Sequence, residues 1–222
     1  MSDSATVEAL FTRADGSFLF ARWARPIVPV VFGVEDATVS ILKGAIEAVV
    51  MLADHKMAET DPELGANMMM FFIREWDELT QVPDLDRLIP DLASTVARLK
   101  SKDASQYRSF RFDADGGIKA AFVFVRMDEA MAAVPADAIA LSQAVQTILL
   151  WSDTAFLDSS PLAVLENGAA VLRPEIADVI RAGYDPILPV AARDASLALR
   201  LSARITAARA GSLDAIRPIP DH

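Results

Sequence analysis

The chain has 222 residues, a formal charge of −10 and 53% apolar side chains. That apolar share supports a sizeable core and argues against disorder, whose signature is low hydrophobicity. The acidic balance repels phosphate backbones, no Lys/Arg run offsets it, and no apolar stretch approaches the roughly 20 residues of a membrane-spanning helix, so neither nucleic acid nor a membrane is an expected partner.

Taken in chain order, Val7, Leu10 and Phe11 have the i, i+3, i+4 spacing of a short helix ahead of Asp15-Gly16. Residues 27–32 read as a strand that Pro26 and Pro29 push toward an edge or a bulge. Asp36 is placed to cap a helix whose apolar stripe is Val39, Leu42, Ile46, Val49, Val50, Ala53 and Met57. Residues 61–65 form a loop. Residues 68–73 are continuously apolar and short, as a central strand buried on both faces should be. Helical signals return over 84–100, with Leu88, Leu92, Val96 and Leu99 on one side and Pro90 at the first helical position.

The clearest hairpin follows: two β-rich runs, 107–112 and 118–126, around Asp113 to Gly117. Residues 136–151 are helical and apolar nearly all round, which places that helix in the centre of the domain. Residues 174–181 and about 190–209 are further helices, the first opened by Pro174 and closed by Gly183. No repeat or linker divides the chain. The order predicts an α+β fold: one domain over 1–222, a mixed β-sheet with packed helices in 1–152, and a helical C-terminal part in 153–222.

Candidate chemistry is sparse. With no cysteine there is no disulfide, no thiolate nucleophile and no cysteine zinc site. The only histidines are His55, read as a surface residue near a helix end and Glu59, and the terminal His222. No metal and no cofactor is expected. The acidic run Glu75, Asp77 and Glu78 around Trp76 reads as a solvated strand end; Asp113 and Asp115 are turn residues. Asp153 and Asp158, with Thr154, Ser159 and Ser160, form a polar loop after the central helix, where a ligand would be met. Arg193, Arg200 and Arg204 read as a solvated helix face, an anionic partner being the alternative. No Gly-x-Ser-x-Gly, phosphate loop or dinucleotide fingerprint occurs.

Several local words are similar to bacterial metzincin-like proteins of the zincin fold: Arg22-Trp23-Ala24-Arg25-Pro26, Leu141-Ser142-Gln143-Ala144 with Leu150-Trp151-Ser152-Asp153, and Arg181-Ala182-Gly183-Tyr184-Asp185-Pro186. The resemblance implies a peptidase-like scaffold over residues 18–209. It also implies a loss. Aligning Gln143 with the second zinc-binding His puts Ile139 at the first, Ala140 at the general base and Leu149 at the third His. No catalytic residue then remains, and the scaffold is expected to be a pseudoenzyme.

The leading expectation is a non-catalytic domain that binds a peptide or protein partner in the old cleft, bordered by Gln143, Asp153 and Tyr184. The alternatives are a zinc-independent hydrolase using carboxylates such as Asp153 or Glu75, and a structural subunit that forms a homo-oligomer through surplus apolar surface. Residues 1–10 lack the basic and apolar regions of a signal peptide, so a cytoplasmic address is expected, with export after signal removal as the alternative.

Overall fold

The structure is a computed structural model and describes residues 3–216. Helix α1 (Ser4–Ala9) leads through strand β1 (Phe20–Ala21) to β2 (Pro29–Phe32), helix α2 (Asp36–Leu52) and β3 (Met68–Ile73). A 3-10 segment (Trp76–Gln81) and helices α3 (Leu85–Leu88) and α4 (Leu92–Ser101) precede β4 (Gln106–Phe112) and β5 (Ile118–Arg126). Then come α5 (Glu129–Ala132), α6 (Ala136–Ile148), β6 (Leu162–Val164), β7 (Ala170–Leu172), α7 (Pro174–Gly183), β8 (Ala191–Ala192) and α8 (Ser196–Ile216). The fold class is α+β.

The main sheet has the order β2-β3-β5-β4, with β2, β3 and β5 parallel and β4 antiparallel on the outside. The apolar run Met68–Ile73 lies between β2 and β5, and both its faces are covered. Period-two alternation divides it: Met68, Met70 and Phe72 join the larger core, while Phe71 and Ile73 join the smaller one. β5 divides the same way, with Ala121, Val123 and Val125 on the first face and Ala120, Phe122 and Phe124 on the second. Helices α2 and α6 cover the first face. The 3-10 segment, α3 and α4 cover the second with Trp76, Leu79, Leu85, Ile89, Leu92, Val96 and Leu99.

The stripe of α2 is buried at Leu42, Ile46, Val49 and Val50, but the helix ends at Leu52, so Ala53 is its C-cap and Met57 lies beyond it, bridged to Ile27. Its N-terminus differs. Glu35 is the capping position, without a side-chain cap bond, and Asp36 stands in the first turn, where its charge favours the helix dipole. Immediately before, Gly33 has φ +84°, and a Cβ there would lie 2.0 Å from the Phe72 carbonyl oxygen. Only glycine lets the chain leave β2 so close to β3.

Other expectations shift for local reasons. Left-handed backbone at Asp84 and Asp91 breaks the 84–100 segment into α3 and α4, so Pro90 precedes the capping position and Leu88 is exposed. Leu85 and Ile89 take its inward place. The acidic run around Trp76 follows β3 and is exposed, as expected, but it is ordered: Glu75 and Glu78 form a reciprocal capping box on the 3-10 segment. Helix α6 stops at Ile148, because Leu149 turns extended to bridge Arg22.

The C-terminal part is not wholly helical. β6 and β7 form a hairpin closed by a turn through Asn167-Gly168, with Gly168 at φ +85°. β8 pairs antiparallel with β1, and α8 packs on α1 and α7, so this part folds back onto the N-terminal segment. No helix among the described residues is long and apolar enough to cross a membrane.

Candidate functional site: a cleft beside the edge strand

Among the described residues β4 has a strand neighbour on one side only. The carbonyl of Ser105 accepts the Arg126 N–H at 2.8 Å, which sets the phase of the ladder. Hydrogen-bonded pairs then fall at Tyr107/Phe124 and Ser109/Phe122, and the backbone N–H and C=O of Gln106, Arg108 and Phe110 turn to the open edge. The side chains follow the same alternation. Tyr107 stacks on Phe124 on the smaller core, whereas Gln106, Arg108 and Phe110 lean toward the α6 face.

A cleft of about 330 Å³ opens where this face of β4 meets the end of α6 and the loop after it. Its lining includes Arg13, Gln106, Arg108, Gln146, Trp151 and Asp153. Arg108 sits centrally in its chemistry. One guanidinium nitrogen, Nη2, donates to Gln106 Oε1 at 2.6 Å and to Gln143 Oε1 at 2.9 Å; Gln143 Nε2 donates to Gln106 Oε1 at 3.0 Å. The Arg108 Nε has no partner among the described residues. Burial lowers the Arg108 pKa to about 10, which still leaves it protonated at neutral pH. Neither Arg108 nor Arg13 is paired with a carboxylate among the described residues.

The walls are fixed by backbone contacts. Asp153 Oδ1 accepts the Ala14 N–H at 3.0 Å, and Ser152 N–H donates to the Leu10 carbonyl at 2.8 Å. Trp151 stacks on Phe11 with ring centroids 5.4 Å apart and donates its Nε1–H to Val145 O at 2.8 Å. The N-terminal segment and the post-α6 loop are thereby held together.

The three residues expected at the cleft do not converge. Asp153 lines it. Gln143 is 1% exposed and lies beneath it, reached through Arg108 and Gln106. Tyr184 is elsewhere: it is the C-cap of α7, 8% exposed, and its hydroxyl donates to Ile148 O at 2.8 Å and accepts from Trp23 N–H at 3.3 Å. Burial raises its pKa, and the Arg22 guanidinium lies 5.5 Å from its ring centre. Sequence reasoning missed Arg108 and Arg13. The available signal was Arg108 in the inward phase of β4, two residues from the core-packed Phe110.

His55 is not a surface residue. It is half-buried, its Nε2 lies 2.9 Å from Arg25 O, and its ring centre lies 5.1 Å from that of Tyr184. His222 lies outside the described residues. Among the described residues no three His, Asp or Glu side chains converge on a metal position. Ile139, Ala140 and Leu149 are buried in the larger core. Asp77 pairs with Lys100, and Asp113 Oδ1 accepts the N–H groups of Asp115 and Gly117. Arg200 and Arg204 brace the turn after α7 through Ile187 O and Asp185, and Arg193 precedes α8 rather than lying on it. Comparison with family models, curated proteins and solved structures gives no match.

Proposed function

We propose that the chain is a non-catalytic binding domain on a peptidase-like scaffold, and that an extended segment of a peptide or protein partner lies along the free edge of β4 above the cleft. The observation that carries this reading is the outward backbone of Gln106 and Arg108: unpaired strand-edge groups beside a cleft invite an added strand. An antiparallel edge strand next to a buried helix is also the arrangement that the metzincin-like resemblance implies. The carboxylate-hydrolase alternative is weaker, because Glu75 serves a capping box and Asp153 holds a backbone N–H.

Selection of displayed random peptides on the immobilised protein, followed by hydrogen exchange of the complex with a selected peptide, tests the reading. The expected result is slowed exchange at Gln106 and Arg108. Peptides that bind while leaving the β4 amides unprotected overturn it, as does failure to select any peptide.

A further inference from the structure

A guanidinium drawn partly out of water normally has a carboxylate beside it. The Arg108 group has only the amide oxygens of Gln106 and Gln143, and one of its nitrogens has no partner among the described residues. Uncompensated charge of this kind is costly in a folded protein, and a counter-ion that arrives from outside removes the cost. The supply of acid inside the cleft is small. Asp153 is the one carboxylate in the lining; its Oδ1 is engaged by Ala14 N–H, and it forms no ion pair with Arg108 or Arg13 among the described residues. A chain with a net charge of −10 thus has in one cleft two arginines that form no salt bridge among the described residues, Arg13 having only the more distant charge of Asp15 on its own turn.

The edge geometry states where an anion on a docked strand must be. Arg108 turns its N–H and C=O outward, so a residue opposite it on an added antiparallel strand exchanges both backbone hydrogen bonds with it. Residues directly opposite project to the same face of the sheet, with Cβ atoms roughly 5 Å apart. The side chain opposite Arg108 is therefore delivered to the cleft face, beside the guanidinium. The side chain two positions away is delivered opposite Phe110, or in the other direction opposite Gln106.

We propose that the cleft selects a carboxylate: an acidic side chain on the docked segment, at the position paired with Arg108, seated on the Arg108 guanidinium with Arg13 adding a second charge. An apolar residue two positions from the acid meets Phe110. This inference rests on the docking reading above and adds to it the chemistry that is recognised. Arg108 suits the task because a planar guanidinium offers parallel N–H donors to a carboxylate. Gln106 and Gln143 orient it without neutralising it.

The probes are short peptides of alternating Thr and Val with a central Glu and a Leu two positions away on each side. They are acetylated and amidated, so that Glu supplies the only carboxylate. A second peptide carries Gln in place of Glu, and a third carries Gln and a free C-terminus. Fluorescence anisotropy should find the Glu peptide bound at least about tenfold more tightly than the Gln peptide, as expected for hydrogen bonds to a charged group. The margin should shrink as salt rises. Arg108→Gln should bring the two peptides to equal affinity, and Arg13→Gln should narrow the gap. Far-UV circular dichroism and melting establish that each variant folds; if Arg108→Gln does not, Arg13→Gln and Arg108→Lys carry the test. Equal binding of Glu and Gln peptides with β4 amides protected overturns carboxylate selection and leaves the docking reading standing. No binding and no protection overturns both. Tighter binding of the free C-terminus than of Glu overturns the side-chain assignment.

Discussion

The hydroxyl of Tyr184 donates to the carbonyl of Ile148 at 2.8 Å, tying the cap of α7 to the last residue of α6. The same oxygen accepts the Trp23 N–H at 3.3 Å, so one phenol satisfies two buried backbone groups. Tyr184→Phe leaves both without it. The expected loss is about 1–3 kcal/mol of stability, read as a lower denaturation midpoint. Because Tyr184 does not line the β4 cleft, peptide affinity at a temperature where the variant is folded should be unchanged.

Asp61 should govern acid stability. Burial alone would raise its pKa, but the N–H groups of Leu64 and Glu63, the Asn67 amide and Arg25 outweigh burial and hold it at about 2, below the ordinary 3.8. A depressed carboxylate contributes stability that is complete above its unfolded pKa and is lost as pH falls through the folded one. The side chain is 3% exposed, so the shift corresponds to roughly 2 kcal/mol. Asp61→Asn should be less stable than the parent at neutral pH by about that amount. The gap should close between about pH 4 and pH 2 in parallel urea titrations. A gap that stays constant with pH would exclude the assignment.

His55 should titrate below its ordinary value. Burial is the main cause; the Arg25 carbonyl opposes the shift, and the charges of Arg22 and Lys56 add to it. For a base with a lowered folded pKa, stability is present above the ordinary value of 6.5 and declines as pH falls below it. Proton NMR of the His55 ring through a pH titration gives the midpoint. A midpoint at or above 6.5 would contradict the packing of this ring beneath Tyr184.

Met70→Asp tests the sheet. Met70 is fully buried on the α2–α6 face of the central strand. A carboxylate there finds no partner in an apolar layer, and the penalty is on the scale of the stability of a whole domain. The expected outcome is insoluble or non-cooperatively folded protein in expression and melting assays.

The legible parts of the fold are those whose signals are local. Met68–Ile73 declares itself by six apolar residues, α2 by its stripe, and the β4–β5 hairpin by Asp-Gly-Gly. The 3-10 segment escapes because the exposed charged residues flanking Trp76 give no sign of the capping box that Glu75 and Glu78 form. The β6–β7 hairpin escapes because its strands are three residues each and lie partly exposed, although Asn167-Gly168 marks the turn. At the site, Asp153 is readable as a polar loop residue after a buried helix. Arg108 is not, because sequence patterning assigns arginine to solvent, and this one gains its place from cross-strand phase and the amides of Gln106 and Gln143. Tyr184, expected at the border of the cleft, is turned into the core by tertiary packing that no local pattern announces.

The pairing of Phe20 with Ala192 has a kinetic consequence. The main sheet can assemble from residues 29–126, whose connections are comparatively short. The β1–β8 clasp must bring together residues far apart in the chain, and loop-closure entropy delays such contacts. Asp153 meets Ala14 across a similarly long separation, so Arg13 reaches the cleft only when the N-terminal segment has returned. During refolding, circular dichroism should therefore recover before the capacity to bind a peptide, and a ligand added early would find the edge of β4 without its second arginine.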